Sequence, residues 1–203
     1  GIYSVAYTIG SLGLMIAEAT NNVWSPWYLD NTKLKQNNEV SSLSKLYVFG
    51  IAVIFITIML TAPEILALMA PKQYSTGIGS LIVVMGSVFF QFLYLFPLTY
   101  EQYSRNMKWV AISTFLAAAI NLIFNFLFIP KWGIIGAAFA TYISYVFLFV
   151  LHELVARKII GGYNIKFINY VPGIVAVNFL AIISYMLVEY WLIRYTLLAI
   201  ILF

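Results

Sequence analysis

The chain has 203 residues, of which 63% are hydrophobic and 9% charged, with a mean hydropathy of +0.94. A water-soluble domain carries about a quarter charged residues, so this composition excludes water as the main solvent and calls for lipid. A formal charge of +4, one histidine and no cysteine exclude a disulfide framework, a thiolate metal site and a multi-histidine metal cluster.

The apolar runs predict an all-α, polytopic transmembrane helix bundle. A bilayer core of about 30 Å needs roughly 20 mostly apolar residues per helix, and helices satisfy their own backbone groups in lipid. A closed barrel would instead show alternating strands of about ten residues. Six spans follow, over 2–28, 44–69, 77–100, 108–129, 133–156 and 165–189, and a seventh begins near 192. A first residue other than Met and an end at Phe203 inside an apolar run lead to the expectation of a fragment.

The connections alternate in charge. Those after the first, third and fifth spans carry Lys33, Lys35, Lys45, Arg105, Lys108, Arg157, Lys158 and Lys166. Those after the second, fourth and sixth carry Lys72, Lys131 and Arg194. The excess of positive charge assigns the first set to the cytoplasm, so the first span runs inward. Proline and glycine in Pro71 and in Pro130 to Gly133 mark tight outer turns, whereas 30–42 reads as the longest polar loop.

The first span carries a polar stripe. Ser4, Ser11, Glu18 and Ser25 recur every seven residues, beside Tyr7, Asn21 and Asn22. That spacing puts them on one helix face, which must avoid lipid. Asn21 and Asn22 are placed to hydrogen-bond Glu18. Two readings stay open: a polar clamp with Glu18 protonated, or the wall of a water-filled path. The third span repeats the theme with Ser80, Ser87, Gln91, Tyr94 and Glu101, and Pro97 is placed to kink it. The fourth has Thr114, Asn121 and Asn125, with interhelical hydrogen bonding set against ligand contact. Gly136, Ala140 and Ser144 form a small-residue row for close helix packing. His152 and Glu153, beside Arg157 and Lys158, read as a solvated helix end, and Glu101 as interfacial. Trp24, Trp27, Tyr28, Tyr100, Tyr103, Trp109, Trp132, Tyr190 and Trp191 read as an aromatic belt near span ends.

The candidate pathway residues are therefore Ser11, Glu18, Asn21, Asn22, Gln91, Asn121 and Asn125. No catalytic residue, cofactor or metal site is assigned, because no P-loop, dinucleotide loop or nucleophile elbow is present. The outer connections are too short to hold a catalytic pair, which argues against a membrane glycan polymerase or acyltransferase.

Several segments together resemble a family. They are Gly1 to Tyr7 with Trp24-Ser25-Pro26-Trp27, then Pro63-Glu64-Ile65-Leu66 with Tyr74, then Asn121 to Asn125, Ile129-Pro130, Gly133 to Ala138 and Ala140-Thr141. In order and spacing they are similar to polysaccharide and O-antigen flippases of the multidrug/oligosaccharidyl-lipid/polysaccharide exporter superfamily. The resemblance implies a MATE-like fold of two lobes about a cavity. Residues 1–160 would be helices eight to twelve of the C-terminal lobe, and 161–203 two additional helices. It implies no bond chemistry but movement of a polyprenyl-pyrophosphate-linked oligosaccharide from the cytoplasmic to the outer leaflet of a bacterial inner membrane. The implied partners are that substrate, membrane lipids, the N-terminal lobe of the same protein, glycosyltransferases and a polysaccharide polymerase, and no nucleic acid. Arg105 and Lys108 would then meet the pyrophosphate at the inner rim. The competing expectation is an ion-coupled, multidrug-type exporter of small molecules, with Glu18 as the coupling carboxylate.

Overall fold

The computed structural model describes residues 2–202; Gly1 and Phe203 lie outside the described residues. It is an all-α membrane helix bundle. The helices are α1 (Ile2–Lys33), α2 (Asn37–Leu60), α3 (Ala62–Met69), α4 (Ile78–Leu93), α5 (Leu95–Tyr103), α6 (Met107–Leu154), α7 (Val171–Met186) and α8 (Trp191–Leu202). Among the described residues four segments are long and apolar enough to cross a membrane: Asn37–Leu60, Lys72–Tyr103, Met107–Ile160 and Phe167–Met186.

The polar stretch expected as a long loop is mostly helix. α1 continues to Lys33 and α2 starts at Asn37, leaving a turn in which Lys35 takes φ 60°. Leu34 N–H donates to the Asp30 carbonyl and Gln36 N–H to that of Asn31, so the backbone is satisfied without a loop. Polar residues end helices only when their side chains compete for the backbone, and here the Asp30 carboxylate pairs with Lys33 instead.

Proline places the other breaks. Pro63 cannot donate to the Met59 carbonyl, and the expected second span splits at Thr61 into α2 and α3. The freed Met59 carbonyl accepts the Ser184 hydroxyl of α7 at 2.7 Å. Pro97 likewise divides the third span at Tyr94, as its sequence position predicts. α6 is two arms joined at Gly133, whose φ of 56° and ψ of −130° are not helical. The arms run antiparallel, since Asn121 and Thr141 line one cleft with Thr114 and Leu148. A Cβ on Gly136 would collide with the Phe128 carbonyl oxygen, so the glycine lets the arms touch backbone to backbone there.

α4 is the central helix, buried almost all round, with α1 and α6 against it; α7 packs on α2 and α4. In lipid this association comes from close packing, not from expelling water. A run of rings fills the core: Phe55, Phe89, Phe92, Phe96 and Tyr170, linked edge to face except for the tilted Phe89–Phe92 pair. Trp24, Tyr28 and Tyr100, expected in the interfacial belt, belong to this core, and Trp24 stacks on Tyr47 at 5.1 Å. Trp132, Tyr190 and Trp191 do lie exposed near helix ends.

The contacts sort the connections into two ends. Asn164 bonds Thr32 and Asn37, and Tyr100 bonds the Gly161 carbonyl, which gathers the lysine-rich connections at one end. Arg194 bonds Glu64, and Ser184 bonds Met59, at the short-loop end. The charge alternation is thus realised as a basic end and a short-loop end.

Candidate substrate-pathway face

α1 packs its small and apolar side against α4 and α2, where Gly10 meets Val84 and Gly13 meets Phe55. Ala6, Ile9, Ala17, Trp24 and Tyr28 are buried on that side. The polar stripe is consequently turned out of the bundle, except at Ser25, whose hydroxyl lies 3.0 Å from that of Thr99 in α5. Ser4, Tyr7, Thr8, Glu18 and Asn22 are exposed, and Ser11 is half-buried with its hydroxyl on the Thr8 carbonyl at 2.6 Å. Leu12, Ile16 and Val23 flank the stripe on one side.

Next to this stripe the α6 arms open a cleft of about 350 Å³. Tyr3 and Tyr7 line it from α1, Thr114 and Asn121 from the first arm, and Thr141, Ser144 and Tyr145 from the second. The Tyr3 hydroxyl lies 2.9 Å from that of Thr141. Asn125 Nδ2 donates to Asn121 Oδ1 at 2.9 Å, so the asparagines bond along one helix. Among the described residues they make no hydrogen bond to another helix. A four-residue step places one amide directly over the next, and Asn121 is left facing the cleft. Tyr145 neighbours Tyr3, Tyr7 and Tyr94, and Tyr94 lies close enough to Glu18 to feel its charge. Ser11, Glu18 and Asn22 thus share one side of α1, and Asn121 lines the cleft that Tyr3 and Tyr7 of the same helix enter.

The hydrogen bonds expected from Asn21 and Asn22 to Glu18 are absent among the described residues. Asn21 is rotated toward the bundle, where its Oδ1 is buried without a partner, and Asn22 stays exposed. Gln91 of α4 is half-buried, and its Oε1 also lacks a partner. Arg105, in the turn between α5 and α6, and Lys108, in the first turn of α6, stand apart from the stripe and are exposed. Arg105 has φ 57°, and Lys108 lies over the Trp109 ring at 5.9 Å.

The faces away from this site are apolar. Phe115, Leu122, Phe126 and Leu127 are exposed on α6, and Val175, Phe179 and Ile182 on α7. Side chains of that kind suit lipid, whereas the α1 stripe does not.

Three buried ionic contacts correct the sequence reading. Glu101 and His152 are both fully buried, with Nδ1 2.9 and 3.0 Å from the two carboxylate oxygens. His152 and Glu101 are not solvated, because the turn after α5 and the segment 161–170 cover that end of α6. Glu153 is buried too and bonds Arg157 at 2.5 Å, and Arg157 also donates to the Ile165 carbonyl. Arg194, counted as a loop charge, is 2% exposed. It holds Glu64 with two parallel bonds, of 2.8 and 2.5 Å, and donates to the Leu60 carbonyl. Only the four-residue spacing of Glu153 and Arg157 was available locally as a signal; the other partners are remote in sequence. Among the described residues no group of three His, Asp or Glu side chains could hold a metal ion.

Over 171 residues, 82% of this chain, the sequence is 23% identical to a protein of Haloferax volcanii described as a probable low-salt glycan biosynthesis flippase, Agl15. The chain spans 36% of that protein's length. No family model matches the chain, and no solved structure matches it significantly. The apolar helices and this similarity together make the chain a multi-pass membrane protein.

Proposed function

We propose that this chain is part of a flippase for lipid-linked glycans. The observation that carries the reading is the uncovered polar face: Tyr7, Ser11, Glu18 and Asn22 of α1, continued by the cleft at Asn121 and Thr141, on a bundle otherwise apolar outside. Sugars cross a bilayer only where hydroxyls, amides or water replace their hydration. Tyrosines offer flat apolar rings with a polar tip, which suits sugar surfaces. The similarity to a protein described as a glycan biosynthesis flippase supports the same class.

In this proposal residues 1–160 form the C-terminal lobe of a two-lobe, MATE-like transporter, and 161–203 supply two further helices. A second lobe faces the polar stripe across a water-filled cavity. A polyprenyl-pyrophosphate-linked oligosaccharide passes between them as the lobes rock, with its tail in the lipid and no bond made or broken. Arg105 and Lys108, at the basic end assigned to the cytoplasm, are the candidate contacts for the pyrophosphate. The membrane is the plasma membrane.

The test uses the full-length protein. Glu18→Ala and Asn121→Ala are expected to reduce glycan export while thermal unfolding in detergent stays unchanged. Normal export by both variants would remove the face from the pathway. One observation favours an ion-coupled small-molecule exporter: Glu18 is an exposed carboxylate without a cationic partner among the described residues. Efflux of a small cation that collapses with the proton or sodium gradient, alongside intact glycan export in Glu18→Ala, would put that reading first.

A further inference from the structure

α5 is a nine-residue helix set off from α4 at Tyr94, where Pro97 interrupts the hydrogen-bond ladder. Three polar contacts tie it down. Thr99 meets Ser25 of α1 at 3.0 Å, the Tyr100 hydroxyl donates to the Gly161 carbonyl at 2.7 Å, and Glu101 meets His152 of α6. The last alone joins a carboxylate to an imidazole, the side chain whose charge changes near neutral pH.

Both partners are fully buried, and among the described residues no lysine or arginine pairs with Glu101. Arg157, a nearby cation along the chain, is taken by Glu153 and the Ile165 carbonyl. His152 Nε2 is buried with no partner, so the ring is held on one side only. The elements packed around the pair also carry Tyr3, Tyr7, Glu18, Tyr28, Asp30 and Lys33 on α1, Tyr94 before α5, Tyr100 and Tyr103 on α5, Arg105 after it, Lys108, Lys131, Tyr142, Tyr145 and Glu153 on α6, and Arg157, Lys158 and Tyr163 beyond it. The Tyr94 ring lies 5.6 Å from that of His152 and near Glu18, so it neighbours both the pair and the polar face.

We propose that Glu101 and His152 form a proton-binding site that latches α5 to α6, and that loss of its proton frees α5. With one proton the pair is neutral overall. Without it a single carboxylate charge is left in an apolar interior, where an unpaired charge is strongly disfavoured. Water must then reach Glu101, and the arm that carries it joins α4 at Tyr94, where Pro97 leaves the Leu93 carbonyl without its helical donor. The latch is closed at low pH and opens as pH rises. The proposal does not depend on what is transported.

The test places spin labels at Gln102→Cys and Leu154→Cys, two exposed positions on α5 and α6, in the full-length protein with its other cysteines replaced. Pulsed EPR distances are read between about pH 5 and about pH 9, the interval that brackets histidine titration. The distance is expected to lengthen with pH in the otherwise wild-type background. It is expected to stay short throughout in Glu101→Gln, whose amide keeps a hydrogen bond to the ring without a charge. The ¹⁵N signal of His152, identified by its disappearance in His152→Gln, is expected to titrate over the same interval. This signal and the wild-type distances need no variant of Glu101 to fold. A pH-invariant distance in the wild-type background, a silent His152 signal, or the same lengthening in Glu101→Gln would each overturn the latch.

Discussion

The two ends of the bundle are closed by different chemistry. At the short-loop end Arg194 grips Glu64 through a two-pronged pair and also takes the Leu60 carbonyl. A guanidinium is charged at any physiological pH, so that closure is permanent. At the basic end Arg157 also holds Glu153 and the Ile165 carbonyl, but the ties to α1, α2 and α5 are neutral hydrogen bonds from Asn164, Asn169 and Tyr100, plus the titratable Glu101–His152 pair. One end is built to stay shut. The other adds to its one guanidinium tie, Arg157, many small contacts that can be released one at a time.

The comparison can be broken most directly at the permanent end. Arg194→Leu leaves Glu64 and the Leu60 carbonyl without their partner. The expected loss is about 2–3 kcal/mol in detergent unfolding, at the low end for a broken buried pair because Glu64 is 41% exposed. Arg194→Lys restores part of it, since a point charge replaces the fork. At the basic end Asn169→Ala removes bonds to the Ser41 carbonyl and to the Ser41 and Ser44 hydroxyls. About 1.5–2 kcal/mol is expected from the same measurement, with no effect on the other end. Ser184→Ala should cost about 1 kcal/mol while Pro63 is present, and measurably less in a Pro63→Ala background, where an N–H can reach the Met59 carbonyl. A double-mutant cycle reads that coupling directly. The smallest effect is at the exposed Lys33–Asp30 pair, where Lys33→Ala should leave the melting temperature unchanged.

What the sequence discloses here is what chain-local physics decides. Pro97 and Gly133 mark breaks that are readable in advance, whereas the break before Pro63 falls inside an expected continuous span and Pro26 lies within α1 without breaking it. The seven-residue spacing of Ser4, Ser11 and Glu18 likewise announces one face, and that face is the one left uncovered. The failures are of another kind. Glu101 and His152 are 51 residues apart, and Glu64 and Arg194 are 130 apart. Each looks like an ordinary charge near a span end until packing buries it. The Asp30 to Ser42 stretch was misread as loop because polarity at the water boundary does not distinguish a turn from a helix that continues past the lipid. The site is legible as a stripe, whereas the rotation of Asn21 away from Glu18 depends on α1's docking against α4.

The elbow at Thr61 also sets an order of assembly. Pro63 strips the end of α2 of a local donor, and the groups that complete it, Ser184 and Arg194, follow 125 and 134 residues later. A chain emerging from the ribosome therefore carries an unfinished elbow through the insertion of every helix in between. The last two helices act as its closing clasp, and a nascent chain stopped before Ser184 should keep that elbow open to protease.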